Sequence, residues 1–207
     1  MQTLYMEYYQ EEVNVLGPGK RFGLWVQGCK FSCPKCIAPH THDFEKYKIQ
    51  MNVEEVYQLI LKTKGIEGVT FSGGEPMEQA SALSELSNKL KTTTDLSIMC
   101  YTGYTLEEIK QQNHSEQIEF LKYIDILVDG RHVDHLNQGQ LWKGSANQKI
   151  HFLTDRYKYL EKKLDTKQPG LEFLIQEDQL KVIGIPGRQE LQTLTERMAT
   201  RGVKLEF

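Results

Sequence analysis

The chain has 207 residues, 39% of them hydrophobic and 26% charged, enough for one domain with a buried core. Lysine and arginine number 25 against 28 acids, a net charge of −3, which removes any electrostatic case for nucleic acid or an anionic membrane surface. No apolar run approaches the ~18 residues of a membrane span, the N-terminus lacks the basic and apolar regions of a signal peptide, and four cysteines with three clustered do not resemble a secreted disulfide framework, so a cytoplasmic protein is expected.

Taken in order, Val13 to Leu16 predicts a short strand, Gly17-Pro18-Gly19 a turn, and Phe22 to Gln27 a buried strand running into Gly28 and a cysteine-bearing loop. Asn52 with Glu55 forms a capping box before a helix whose stripe is Val53, Val56, Tyr57, Ile60 and Leu61, closed at Gly65. Gly68 to Phe71 predicts a strand, Met77 to Leu90 a helix, and Leu96 to Tyr101 another strand. Thr105 and Glu108 cap further helical residues to about Tyr123, with a break near Asn113, before a strand at Ile124 to Val128. Strands alternating with helices predict parallel βαβ units, wound as a partial barrel or a doubly wound sheet. Residues 132–149 read as a long loop. Beyond it are a strand at Lys149 to Leu153, a charged helical stretch to Asp165, and a hairpin of Leu171 to Ile175 with Leu180 to Ile185. A helix from Gly187 to Arg201 and a last strand on Val203, Leu205 and Phe207 complete an α+β extension over residues 151–207.

Cys29, Cys33 and Cys36 lie in C-x3-C-x2-C spacing directly after a strand, where α/β proteins gather their sites. Soft thiolates so grouped suit zinc or an iron–sulfur cluster. A [4Fe–4S] cluster takes one cysteine per iron, so three would leave one iron open. The loop alone admits two other readings: a structural zinc site completed by His40 or His42, and a redox pair of Cys33 and Cys36. Ser72-Gly73-Gly74-Glu75-Pro76 stands between a strand and a helix. Adjacent glycines admit a ligand close to the backbone, and Glu75 adds a carboxylate that could hold an ammonium group. The plain alternative is a βα turn in which Glu75 starts the next helix. Cys100 falls in a strand and reads as a small apolar residue.

The two motifs together resemble the radical S-adenosylmethionine (SAM) superfamily. Gly17 to Arg21, Trp25 to Cys29, Tyr101 to Thr105, Asp125 to Arg131 and Trp142 to Gln148 narrow the resemblance to the activating enzymes of anaerobic ribonucleoside-triphosphate reductase, over about residues 13–150 of a single domain. The resemblance implies a partial (β/α) barrel of the radical SAM type. It implies a [4Fe–4S] cluster on Cys29, Cys33 and Cys36, and SAM against Lys35, Ile37, Gly73, Gly74 and Glu75. Asp129, Arg131, Ser145 and Asn147 become candidates for the SAM or substrate cavity, with a surface turn and a loop cap as their plain alternative. It further implies reductive cleavage of SAM to a 5′-deoxyadenosyl radical, with flavodoxin or ferredoxin as electron donor and a glycine of a partner reductase as hydrogen source. Lys35 replaces the aromatic that many superfamily members carry before the third cysteine, Lys143 stands where arginine is usual, and Ile37 to His40 replaces an asparagine-proline segment. Residues 151–207 exceed the compact activase pattern, which keeps two alternatives open: a radical SAM enzyme acting on a peptide or nucleotide-like molecule, such as a compact 7-carboxy-7-deazaguanine synthase, and a non-catalytic zinc-binding interaction module.

Overall fold

A computed structural model of the chain describes residues 2–166, 169–176 and 179–203. Seven strands form one mixed sheet in the order β3-β1-β2-β4-β5-β6-β7. Its centre is parallel: β2 (Arg21–Val26), β4 (Gly68–Gly73), β5 (Ser97–Tyr101) and β6 (Ile126–Asp129). β1 (Thr3–Val13), β3 (Ile49–Asn52) and β7 (Lys149–Phe152) flank it antiparallel. The expected strand at Val13 to Leu16 is therefore corrected. The strand ends at Val13, and β1 is the longer run before it, bulged between Met6 and Tyr8 and again between Gln10 and Val13.

The helices follow from local signals. Asn52 and Glu55 complete the predicted capping box of α1 (Val53–Lys62), and Thr105 and Glu108 that of α3 (Leu106–Gln112). Asn113, in the left-handed region at φ 52°, ends α3 and separates it from α4 (Ser115–Leu121) at the predicted break. α2 (Ala80–Thr93) is preceded by a 3-10 turn, Pro76–Gln79. Val53, Val56 and Ile60 of α1, Leu83, Leu86 and Leu90 of α2, Ile109 and Phe120 join Leu24, Val69, Phe71, Ile98 and Leu127 of the sheet in one buried cluster. α1 to α4 thus pack on one face, against the doubly wound alternative, which needs helices of the βαβ units on both faces.

The opposite face is covered by later residues. Met99, Ile126 and Val128, whose side chains alternate away from the helices, pack with Trp142, Tyr157 and Leu160. Val13, Leu16 and Trp25 pack with Ile183. The expected hairpin is present as β8 (Leu171–Gln176) and β9 (Gln179–Gly184), and the last helix as α5 (Arg188–Ala199). The charged stretch Asp155–Thr166 is a 3-10 helix, not an α-helix. Val203 belongs to no strand, and Leu205 and Phe207 lie outside the described residues. Among the described residues no helix is long and apolar enough to cross a membrane.

One buried charge ties the lower edge of the sheet. The Arg21 guanidinium, inaccessible to solvent, donates to Thr70 Oγ1 at 2.6 Å, Ser97 Oγ at 2.9 Å, Val69 O at 2.7 Å and Pro18 O at 3.1 Å. It links β2, β4 and β5 with the Gly17 to Gly19 turn, and burial lowers its pKa to about 10.

Candidate functional site

Because β2, β4, β5 and β6 are parallel, the segments leaving their C-terminal ends lie along one edge. β2 delivers Cys29 to Cys36, β4 delivers Gly73 to Glu75, β5 delivers Thr102 to Tyr104, and β6 delivers Asp129 to Arg131. The cysteine loop, the Gly73 to Glu75 segment and Asp129 to Arg131 thereby leave the sheet at the same rim.

The cysteine loop is held at its stem. Gly28 N–H donates to Thr41 O at 2.8 Å and Cys29 N–H to His42 O at 2.9 Å, which closes the loop on itself. Gln27, buried, donates from Nε2 to Asp43 O at 2.6 Å and His40 O at 3.2 Å. Sequence reasoning did not single out Gln27, although it stands in one of the matching motifs. His40 and His42 thus serve the loop through their carbonyl groups.

The three thiols are free and partly exposed. Burial raises the Cys29 thiol, while the N–H groups of Phe31 and Ser32 pull it back down. Cys36 is likewise raised by burial and lowered by the Ala38 N–H. Three soft sulfur donors, two of them close enough together to disfavour each other's charge, suit a metal that takes up thiolates. The donor set therefore fits a cluster. Among the described residues no three Cys, His, Asp or Glu side chains converge closely enough to hold one metal ion. Cys100 is buried in β5.

Gly73 to Glu75 lies directly against that stem. Gly74 N–H donates to Val26 O at 2.7 Å and Glu75 N–H to Gly28 O at 2.8 Å. A methyl group at Gly74 would stand 2.9 Å from Thr41 O and closer still to Gly28 O; at Gly73, with φ of 98°, it would stand 2.6 Å from Val26 N. The paired glycines are what allow the two motifs to touch. Glu75 is 1% exposed. Its Oε1 accepts from Met77 N–H at 2.9 Å and Thr102 Oγ1 at 2.7 Å, and its Oε2 from Gly103 N–H at 2.7 Å. Burial pushes its pKa up to about 7 against those three donors. The bonds from Thr102 and Gly103 join the ends of β4 and β5.

Lys35 and Ile37 flank Cys36 as exposed side chains. Lys35 Nζ reaches Asp134 Oδ2 at 3.2 Å, and Arg188 of α5 stands 3.8 Å from the same oxygen. Asp129 is buried and accepts from Leu106 N–H at 2.7 Å, with His151 Nε2 2.9 Å away. Against the effect of burial, His151 and the Leu106 and Lys149 N–H groups hold its carboxyl below the usual range. Ser145 Oγ, also buried, accepts from Val133 N–H, and Asn147 donates to Arg131 O. Ser145 and Asn147 brace loop 132–149, while Asp129 ties β6 to the start of α3 and to β7. Arg131 is different: it is half exposed and its guanidinium lies 4.6 Å from the centre of the Phe31 ring, inside the cysteine loop.

The family described as a 4Fe-4S single cluster domain matches residues 15–151. The chain is similar to the anaerobic ribonucleoside-triphosphate reductase-activating protein of Vibrio cholerae, 37% identical over 157 residues that span 72% of this chain and 98% of that protein. The protein of the same name from Enterobacteria phage T4 is 33% identical, spanning 68% of this chain and 89% of its own length. That of Haemophilus influenzae is 33% identical, spanning 71% and 96%. Among solved structures, QueE from Escherichia coli matches 50% of this chain and 53% of its own with a TM-score of 0.39 and 19% identity.

Proposed function

The chain belongs to the family of anaerobic ribonucleoside-triphosphate reductase-activating proteins, and from that premise we propose that it is a radical SAM enzyme that takes a hydrogen atom from a glycine Cα of a partner anaerobic ribonucleotide reductase. In this reading Cys29, Cys33 and Cys36 hold a [4Fe–4S] cluster, and Lys35, Ile37, Gly73, Gly74 and Glu75 border SAM. When bound and reduced, the cluster with SAM supplies a 5′-deoxyadenosyl radical. The sheet is then the open half of a (β/α) barrel within a single domain that includes the extension. A flavodoxin or ferredoxin is the electron donor, and the cytoplasm the setting.

The observation that carries the reading is the pair of hydrogen bonds from Gly74 and Glu75 to Val26 and Gly28. They make the stem of the cysteine loop and the glycine segment one wall, so a molecule lying on Gly73 and Gly74 also borders Cys29. The chain's own residues do three things there. The thiols lose their protons on binding iron, which offsets the burial that otherwise keeps Cys29 and Cys36 protonated. Gly73 and Gly74 let the backbone of β4 close on Val26 and Gly28, and buried Glu75 holds that backbone against Thr102 and Gly103.

A second reading keeps the chemistry and changes the target to a peptide or nucleotide-like molecule. It is favoured by the extension, since a match covering 98% of the Vibrio protein leaves over a quarter of this chain without a counterpart there. One anaerobic experiment tests both readings. The protein is reconstituted with iron and sulfide, reduced with dithionite, given SAM, and assayed for 5′-deoxyadenosine. Its formation, and its loss in Cys36→Ala, is expected. A glycyl-radical signal on added reductase selects the first reading; deoxyadenosine without that signal selects the second. A fully loaded cluster that yields no deoxyadenosine refutes both.

A further inference from the structure

Lys30, Phe31 and Ser32 separate the first two cysteines and belong to no helix or strand. Ser32 has φ of 46° and Lys35 φ of 55°, left-handed values that are unfavourable for non-glycine residues. Contacts from outside must hold this loop in shape, and Phe31 receives them. Its ring meets Tyr104 edge to face, with centroids 4.8 Å apart and planes at 75°. The Arg131 guanidinium lies over it at 4.6 Å. Gly103 lets it settle: a methyl group there would stand 2.5 Å from the ring. Lys30 folds back with Nζ 4.9 Å from the centre of the Tyr104 ring and 3.1 Å from Glu78, which also accepts the Tyr104 hydroxyl at 2.7 Å. Arg131 is steadied on its other side by Glu108 at 3.6 Å.

We propose that Phe31 is a positioning residue for the cluster loop, and that Arg131 and Tyr104 act through it. The three clamp the Cys29–Cys33 half of the loop to the ends of β5 and β6. Gly103 carries the clamp further, because the N–H beside that ring contact donates to Glu75 Oε2. Displacing Phe31 therefore disturbs both the thiols and the Gly73 to Glu75 wall. The inference rests on the reading that Cys29, Cys33 and Cys36 hold the cluster. It gives Arg131 a partner within the chain in place of the direct SAM or substrate contact that the family resemblance implies.

The test uses the full chain, anaerobically reconstituted, as wild type, Phe31→Leu, Arg131→Met and the double variant. Iron release to excess chelator, the electron paramagnetic resonance signal of the reduced cluster with and without SAM, and KM and kcat for SAM cleavage are measured. Each single variant should load iron normally, then lose it about three- to tenfold faster, as expected for one lost ring contact. The double variant should be no faster than the worse single one, because both remove one interaction. The spectral change on adding SAM should alter in Phe31→Leu, and Phe31→Tyr should restore both readouts. Wild-type iron release in Phe31→Leu, or additive effects in the double variant, would overturn the clamp. So would a raised KM for SAM in Arg131→Met with wild-type iron release, which marks direct contact. A wild-type chain that takes up no cluster would overturn the underlying reading instead, and the clamp with it.

Discussion

Gly74→Ala isolates the contact between the two motifs. Gly74 does not have a positive φ, so alanine meets no conformational objection. By narrowing the unfolded ensemble it should even add ~0.4–1 kcal/mol. The steric term runs the other way and is larger. The new methyl group would lie 2.9 Å from both the Gly28 carbonyl carbon and Thr41 O, and these are backbone atoms that cannot swing aside. Either β4 or the loop stem must move, at about 1–3 kcal/mol for overpacking. The movement stretches the Gly74–Val26 and Glu75–Gly28 hydrogen bonds, each worth ~0.5–1.5 kcal/mol. The net expectation is a loss of about 2–4 kcal/mol, read as a lower urea midpoint at unchanged slope in the cluster-free protein. Gly65→Ala is the control: nothing lies within 4 Å of its added methyl, but φ is 71°, so it should cost only the ~1 kcal/mol of a left-handed alanine. If Gly74→Ala costs less than Gly65→Ala, the two segments do not touch as described and the shared wall is wrong.

Glu75 gives a pH signature. Its folded pKa, raised from the ordinary 4.5 to about 7, means the folded state binds the extra proton between those values. Stability from this group should therefore fall as pH rises from about 4.5 to 7 and level off above. Urea midpoints across that range should show the slope in wild type and its loss in Glu75→Gln. The same variant should cost ~1–3 kcal/mol, because an amide nitrogen would face the Gly103 or Met77 N–H. Arg21→Lys should destabilise by ~2 kcal/mol or more in the same assay, since one ammonium cannot reach the acceptors on two strands and a turn that the guanidinium fork spans. Cys100→Ala should leave iron content per chain unchanged and cost about 1 kcal/mol, the loss of a small buried side chain; a fall in bound iron would give Cys100 a part in the site.

The parallel centre of the fold was legible because its strands are short apolar runs with glycines close by, and α1 and α3 have their caps written beside them. β3 was not. Ile49-Gln50-Met51-Asn52 has no strand signal of its own and exists by pairing with Thr3 to Met6, a partner far away in the chain. β1 was misplaced for a related reason: its charged and aromatic residues reflect a strand with one face on the core and an irregular other face. In the site, the spacing of Cys29, Cys33 and Cys36 carried its own chemistry. Glu75 did not, since a carboxylate before a helix reads equally as a ligand or as a cap, and only the positions of Thr102 and Gly103 show where its oxygens point. Phe31 was invisible as a site residue. An aromatic between cysteines acquires meaning only when Tyr104 and Arg131, from two other strand ends, arrive at its ring.

The placement of the extension bears on how a target reaches this rim. With α1–α4 on one face of the sheet, and Tyr157, Leu160 and Ile183 packed on the other, neither face of the sheet is bare at those positions. The cysteine loop itself remains partly exposed at the strand-end edge. Beside it Asp134 holds Lys35 of the loop and Arg188 of α5 through exposed ion pairs, each worth at most ~1 kcal/mol. Asn137 Nδ2 donates to Pro186 O at 3.1 Å, which adds a second tie between loop 132–149 and the extension. The extension thus stands next to loop 132–149 and the cysteine loop, joined to them by weak, partly exposed contacts.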